Sequence, residues 1–134
     1  MLSMCMKKRS DMQIVLDYQR EITLLSHASA LLNWDQQTYM PQKGVEGKAE
    51  QGAFLSALVH RKLVDDEFFS AVKRLRGKIS GKNKVMIEKL YKELEKARNI
   101  PESFVEELSK ITTLGNKAWM EARRKRSLKY LDHI

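Results

Sequence analysis

The segment from Trp34 to Pro41 holds the residues of this sequence that are best suited to chemistry. The Trp34 indole is followed directly by the carboxylate of Asp35, then by the hydroxyl of Thr38 and by Met40-Pro41. An aromatic ring beside a carboxylate and a hydroxyl can line or close a substrate cleft. The same residue types also serve structure, with Trp34 anchoring a helix end and Asp35 capping the next turn. The structural role is the more common of the two.

The histidines and the cysteine do not form a pattern that predicts catalysis. A catalytic zinc needs three protein ligands, often two histidines four residues apart on a helix. His27, His60 and His133 are widely separated, and the motif His-Glu-x-x-His does not occur. The single cysteine, Cys5, cannot form an internal disulfide, which fits a reducing cytoplasm. We therefore expect no metal ion, no other cofactor and no catalytic residue in this chain.

Residues 30–51 resemble the N-terminal signature of a family of zinc metallocarboxypeptidases, the carboxypeptidase Taq type. That signature reads roughly Leu-Leu-x-Trp-Asp-x-x-Thr-x-Met-Pro, followed by a basic residue, Ala and Gln. Residues 31–41 match its first part, and Lys48, Ala49 and Gln51 match its second part. The family usually has arginine at the position of Lys48, and lysine lacks the bidentate fork of arginine. A weaker second block, Trp-x-x-Ala-Arg, matches residues 119–123.

The resemblance extends over about residues 24–123 and carries implications for function. The family removes C-terminal amino acids from peptides with metal-activated water, uses zinc or cobalt, and forms homodimers. Its zinc ligands lie downstream of the region matched here, so the resemblance implies a non-catalytic N-terminal helical domain, or a truncated form, of such an enzyme. Its implied partner is a second copy or the missing catalytic domain. The resemblance assigns a cleft or structural role to Trp34, Asp35, Thr38, Met40, Pro41, Lys48, Gln51, Trp119 and Arg123.

Two other functions stay open from the residues alone. One is a stand-alone helical module for dimerisation or partner binding. The other is weak nucleic-acid binding, because the net charge is +8 and residues 123–126 are all basic. No aromatic platform or zinc-finger spacing accompanies that charge, which makes nucleic acid an unlikely partner. The sequence lacks an apolar run of membrane-spanning length, and we expect a cytoplasmic protein without a membrane partner.

The positions of apolar residues predict an all-α fold of about five mostly antiparallel helices. Apolar residues recur every three or four positions, with Ser10 and Asp65 as N-caps and two prolines as breaks. The wide apolar stripe of the first helix implies more than one neighbour. Gly47 and Gly52 favour a close approach of another helix to the second one. We expect a flexible tail at 1–9, a single helical domain at 10–134, and helices near 11–33, 45–61, 65–77, 83–99 and 102–125.

Overall fold

Five α-helices make up most of this chain, which confirms the all-α prediction. The computed structural model describes residues 9–131, so Cys5, His133 and most of the expected tail lie outside the described residues. Within that part of the chain there is no strand, and no helix is long and apolar enough to cross a membrane. The helices are α1 (Asp11–Thr38), α2 (Val45–Val64), α3 (Asp66–Leu75), α4 (Gly81–Ala97) and α5 (Glu102–Lys125), with 3-10 segments at Gln42–Gly44 and Leu128–Leu131.

Side-chain caps begin two of the helices where the sequence predicts them. The Ser10 hydroxyl accepts from the Gln13 backbone N–H at 3.2 Å. The Asp65 carboxylate accepts from the Glu67 N–H at 2.8 Å. The Gln13 side chain donates to Asp17 and so does not complete the reciprocal capping box. Each of these caps satisfies a backbone donor that has no partner within its helix.

The prediction that the first helix ends near residue 33 is wrong. Helix α1 continues to Thr38, and the N–H groups of Tyr39 and Met40 both bond to the Asp35 carbonyl, at 3.0 and 2.9 Å. The physical reason is that a proline disfavours helical geometry at the residue before it, which is Met40. The polar residues farther upstream are free to form the last turns of α1.

The apolar core lies between the first half of α1 and helices α3 and α4. All three helices contribute fully buried side chains to one cluster, which therefore joins segments that are far apart in sequence. Tyr18 of α1 stacks on Phe68 of α3 with ring centroids 4.8 Å apart. Helix α1 also packs against α2, which confirms that it has more than one neighbour. The largest of these side chains are Val15, Phe68, Val72, Ile87 and Leu94.

Helix α2 packs most extensively against α5, through small residues. Ala49, Ala53 and Ala57 are buried on α2, which allows the helices to approach closely. A Cβ added at Gly52 would lie 3.5 Å from the Ser109 hydroxyl of α5, whereas one at Gly47 would meet no atom within 4 Å. The close approach inferred for the two glycines therefore holds at Gly52 and is wrong at Gly47.

Candidate functional site: a polar cleft between three helices

Helices α1, α2 and α5 enclose a cleft of about 290 Å³. Helices α1 and α5 both pack on α2, and the cleft separates them from each other. Its lining is mostly uncharged and polar, with hydroxyl and amide groups from all three helices. Among residues 9–131, the only ionisable residue in the lining is Lys48. The polar lining residues are Ser29, Asn33, Gln36, Lys48, Ser56, Ser109, Thr112, Thr113 and Asn116.

Lys48 carries its charge into this cleft although only 6% of the residue is exposed. Its Nζ donates to Asn33 Oδ1 at 2.8 Å and to Thr113 Oγ1 at 3.0 Å. Both acceptors are neutral, and no carboxylate of the described residues forms an ion pair with Lys48. Burial lowers the pKa of the Lys48 ammonium from its ordinary value, since desolvation disfavours the charged form.

Further hydrogen bonds tie α1, α2 and α5 together around Lys48. The Gln36 amide donates to the Thr113 carbonyl at 3.2 Å, and the Ser56 hydroxyl donates to Ser109 Oγ at 3.2 Å. The Thr113 hydroxyl in turn donates to the Ser109 carbonyl at 3.1 Å. Every buried side-chain N or O atom of the described chain has a partner. The cleft is therefore an ordered polar site.

Sequence reasoning missed several residues of this cleft. Asn33 and Gln36 flank Trp34 and Asp35 and stand three residues apart, which places them on one side of a helix. That spacing could have identified them once α1 was extended past residue 33. Thr113 gives no comparable signal, because a threonine within a helix has no distinctive pattern. Only the packing of α5 on α2 brings Thr113 to Lys48.

Most of the residues assigned by resemblance lie outside the cleft. Trp34 is 58% exposed and makes an edge contact with Tyr39, with ring centroids 5.6 Å apart. The Thr38 hydroxyl donates to the Trp34 carbonyl at 2.8 Å. Pro41 precedes the short 3-10 segment, and Gln51 is exposed on α2. Of the nine residues named from the resemblance, Lys48 alone lines the cleft.

The two sequence blocks meet at a second cavity, of about 260 Å³, beyond the cleft. Met40 from the first block and Met120 from the second both line it, together with Gln36, Glu121 and Arg124. The Glu121 carboxylate pairs there with Arg124 at 2.8 Å and also with Lys125 at 3.1 Å, and these bonds lower the pKa of Glu121.

Trp119 and Arg123, the two site residues named from the second block, do not line this cavity. Trp119 is 51% exposed and Arg123 is exposed, while Ala122 between them is buried.

The histidines within residues 9–131 do not form a metal site. His27 is exposed on α1, whereas His60 is buried on α2. In this part of the chain no three His, Cys, Asp or Glu side chains are grouped so that they could hold a metal ion. The donor set of a catalytic zinc is therefore not matched by the described residues.

Residues 14–134 match the model of a protein family described as Carboxypeptidase Taq (M32) metallopeptidase. The chain belongs to this family. It is 32% identical over 115 residues to thermostable carboxypeptidase 1 of Pyrococcus furiosus, which covers 84% of this chain and 23% of that protein. The Thermus thermophilus thermostable carboxypeptidase 1 is 32% identical over 116 residues, covering 83% and 23%.

Carboxypeptidase 1 of Bacillus subtilis is 30% identical over 112 residues, which is 81% of this chain and 22% of that protein. The chain thus spans less than a quarter of the length of these curated relatives. No solved structure matches the chain.

Proposed function

We propose that this chain is a non-catalytic N-terminal helical region of a metallocarboxypeptidase, and that the intact enzyme releases C-terminal amino acids from peptides. The relatives named above are carboxypeptidases. The chain corresponds to less than a quarter of each, so most of the family fold has no counterpart among these residues. The region would supply helical scaffold to the enzyme. The zinc or cobalt implied by the family resemblance would be held by other residues.

The apolar face of α5 is the observation that carries this proposal. Phe104, Leu108 and Ile111 follow one another at steps of four and three residues, and each is about half exposed. Thr113, which lies on the opposite side of α5, is buried. Trp119 continues the exposed face, because it follows Leu108 by eleven residues, which is close to about three helical turns. A monomer rarely exposes large apolar side chains in a continuous row unless another element covers them.

The remainder of the family fold is the occupant that best fits this face. It is long enough to cover α5, since it comprises more than three quarters of each relative. A second copy of the chain is the alternative occupant, and it corresponds to a stand-alone dimerisation module. Both occupants require the same side chains. The two occupants can be distinguished by identifying the molecule that the isolated chain binds.

A complementation experiment distinguishes them. The chain would be co-expressed with the part of the Thermus thermophilus relative that lies outside the matched region, and complexes would be isolated by size exclusion. We expect a one-to-one complex that Ile111→Gln weakens. Lys110→Gln is the matched control, because it places the same side chain at the neighbouring exposed position and should leave the complex unchanged. Self-association without such a complex would favour the dimerisation module. A monomer that forms no complex would refute both.

Metal analysis and an activity assay test the non-catalytic part of the proposal. After dialysis the chain should retain no stoichiometric zinc, and it should release no C-terminal amino acid from a peptide in added zinc or cobalt. The reason is that no three-ligand donor set is present in the described residues. Retained zinc with release activity that His27→Ala or His60→Ala abolishes would show that the chain is catalytic.

A further inference from the structure

The charge of Lys48 has no counterion among the residues that the structure describes. An ammonium group has three N–H donors, and the two acceptors of the Lys48 Nζ, Asn33 Oδ1 and Thr113 Oγ1, are both neutral oxygens. Burying a charge without an opposite charge costs several kcal/mol. A lysine at this position is therefore best explained if something negative completes the site.

The cleft beside Lys48 is built to hold a small polar group. The Ser56 and Ser109 hydroxyls line it and are joined by a hydrogen bond of 3.2 Å, and Asn116 adds a side-chain amide. Gly52, one turn after Lys48 on α2, has no side chain to occupy the space near Ser109. Asn33 and Thr112 lie in the lining and are exposed, so the cleft opens to solvent on that side.

We propose that this cleft is a carboxylate-binding site in which Lys48 supplies the positive charge and the Ser109 hydroxyl, which accepts from Ser56, supplies a further donor. The Thr113 hydroxyl accepts a hydrogen bond from Lys48 and donates one to the Ser109 carbonyl. That arrangement fixes the ammonium relative to α5.

A carboxylate fits better than other anions because of charge and size. One ammonium balances one negative charge, whereas a phosphate dianion would leave a net negative charge in a buried place. Ligand pockets for larger molecules occupy about 300–1,000 Å³, and this cleft of about 290 Å³ lies at the small end. Within the described part of the chain no carboxylate side chain lines the cleft, so none there competes for Lys48.

Nuclear magnetic resonance of the lysine ε-CH₂ groups tests the proposal on the complete chain. The ¹³C-labelled protein would be titrated with sodium acetate at constant ionic strength, with chloride replaced stepwise. We expect a saturable shift of the Lys48 signal with a dissociation constant on the order of millimolar, since a ligand of so few atoms can gain little binding energy. Phosphate should bind more weakly. The pKa of Lys48 should rise in acetate, because an adjacent negative charge favours the ammonium.

Three variants keep the result interpretable. Acetate should raise the melting temperature of the wild-type chain, because it binds the folded state. Lys48→Met removes the charge and should abolish that rise. Lys48→Arg retains the charge and should preserve that rise, since arginine pairs with carboxylates bidentately. Lys62→Met is the matched control, because Lys62 is a surface lysine of α2 that pairs with Glu21, and its loss should leave acetate binding unchanged.

The source of the carboxylate is resolved by comparing three probes: acetate, an N-acetyl dipeptide with a free C-terminus, and the same dipeptide as its amide. Tighter binding of the free acid than of acetate would identify a peptide terminus or side chain as the natural ligand. Equal binding would identify small free carboxylates. Equal response to the acid and the amide, an equal response to chloride, or no saturable shift of Lys48 would overturn the proposal and leave water as the occupant.

Discussion

Replacing Phe68 by alanine should remove a large part of the stability of this fold. Phe68 is fully buried, with 0% of the residue exposed, and its ring stacks on Tyr18 of α1. A buried phenylalanine-to-alanine change costs about 3–5 kcal/mol through lost transfer energy and the cavity that remains. Stacked aromatic pairs account for about 0.5–1.5 kcal/mol beyond burial, which places Phe68→Ala in the upper part of that range. The loss compares with a typical total stability of about 5–15 kcal/mol.

Phe54→Ala is the matched control for this perturbation. It deletes the same atoms from α2, but Phe54 is 61% exposed. Surface substitutions of this kind usually change the free energy of unfolding by less than about 0.5 kcal/mol. The chemical change is identical, so the contrast between the two phenylalanines measures burial together with the stacking of Phe68 on Tyr18.

Urea denaturation followed by circular dichroism supplies the measurement, at a protein concentration low enough to exclude self-association. The midpoint for Phe68→Ala should fall sharply with an unchanged slope, which identifies a change in stability. A second readout is the pKa of the Tyr18 hydroxyl. Burial raises this pKa above its ordinary value, and the Asp65 and Glu67 carboxylates raise it further. That pKa should fall when the ring loses its cover. An equal or larger loss in Phe54→Ala would refute the placement of the core between α1, α3 and α4.

Three further predictions concern other parts of the chain. Ser10→Ala should lower stability by about 1 kcal/mol through loss of the α1 cap, with faster amide exchange at Gln13; unchanged exchange there would contradict the cap. The pKa of Lys48 is lower in the folded chain than its ordinary value of 10.5. Between these two pKa values the folded chain has lost the proton of Lys48 and the unfolded chain still holds it, so the stability of the wild-type chain relative to Lys48→Met should increase as the pH rises through this range. Urea midpoints measured across that range test this, and a constant difference would show that Lys48 is not desolvated. Binding to a DNA duplex, followed by fluorescence anisotropy, should be weak, non-specific and reduced by salt, and sub-micromolar binding to one sequence at physiological salt would contradict it.

The sequence by itself determined the helical class and most helix positions, because these depend on local physics. Apolar spacing, caps and prolines act over a few residues, so α5 was predicted at its observed bounds and the other helices with ends that differ by a few residues. The block from Trp34 to Pro41 also sufficed to indicate the family. The one large error in a boundary, at the end of α1, arose because a proline acts on its immediate neighbour and the polar residues before it were read as a break.

Only the tertiary structure decided which side chains meet. Lys48 and Thr113 lie 65 residues apart, and no periodicity relates them; the small residues of α2 bring α5 close enough for a hydrogen bond. The tertiary structure also decided which apolar side chains are exposed to solvent. The apolar row of Phe104, Leu108 and Ile111 reads as a buried face in the sequence, yet α5 turns Thr113 inward and leaves that row half exposed. Periodicity fixes which residues share a face, whereas the packing of neighbouring helices determines whether that face is covered.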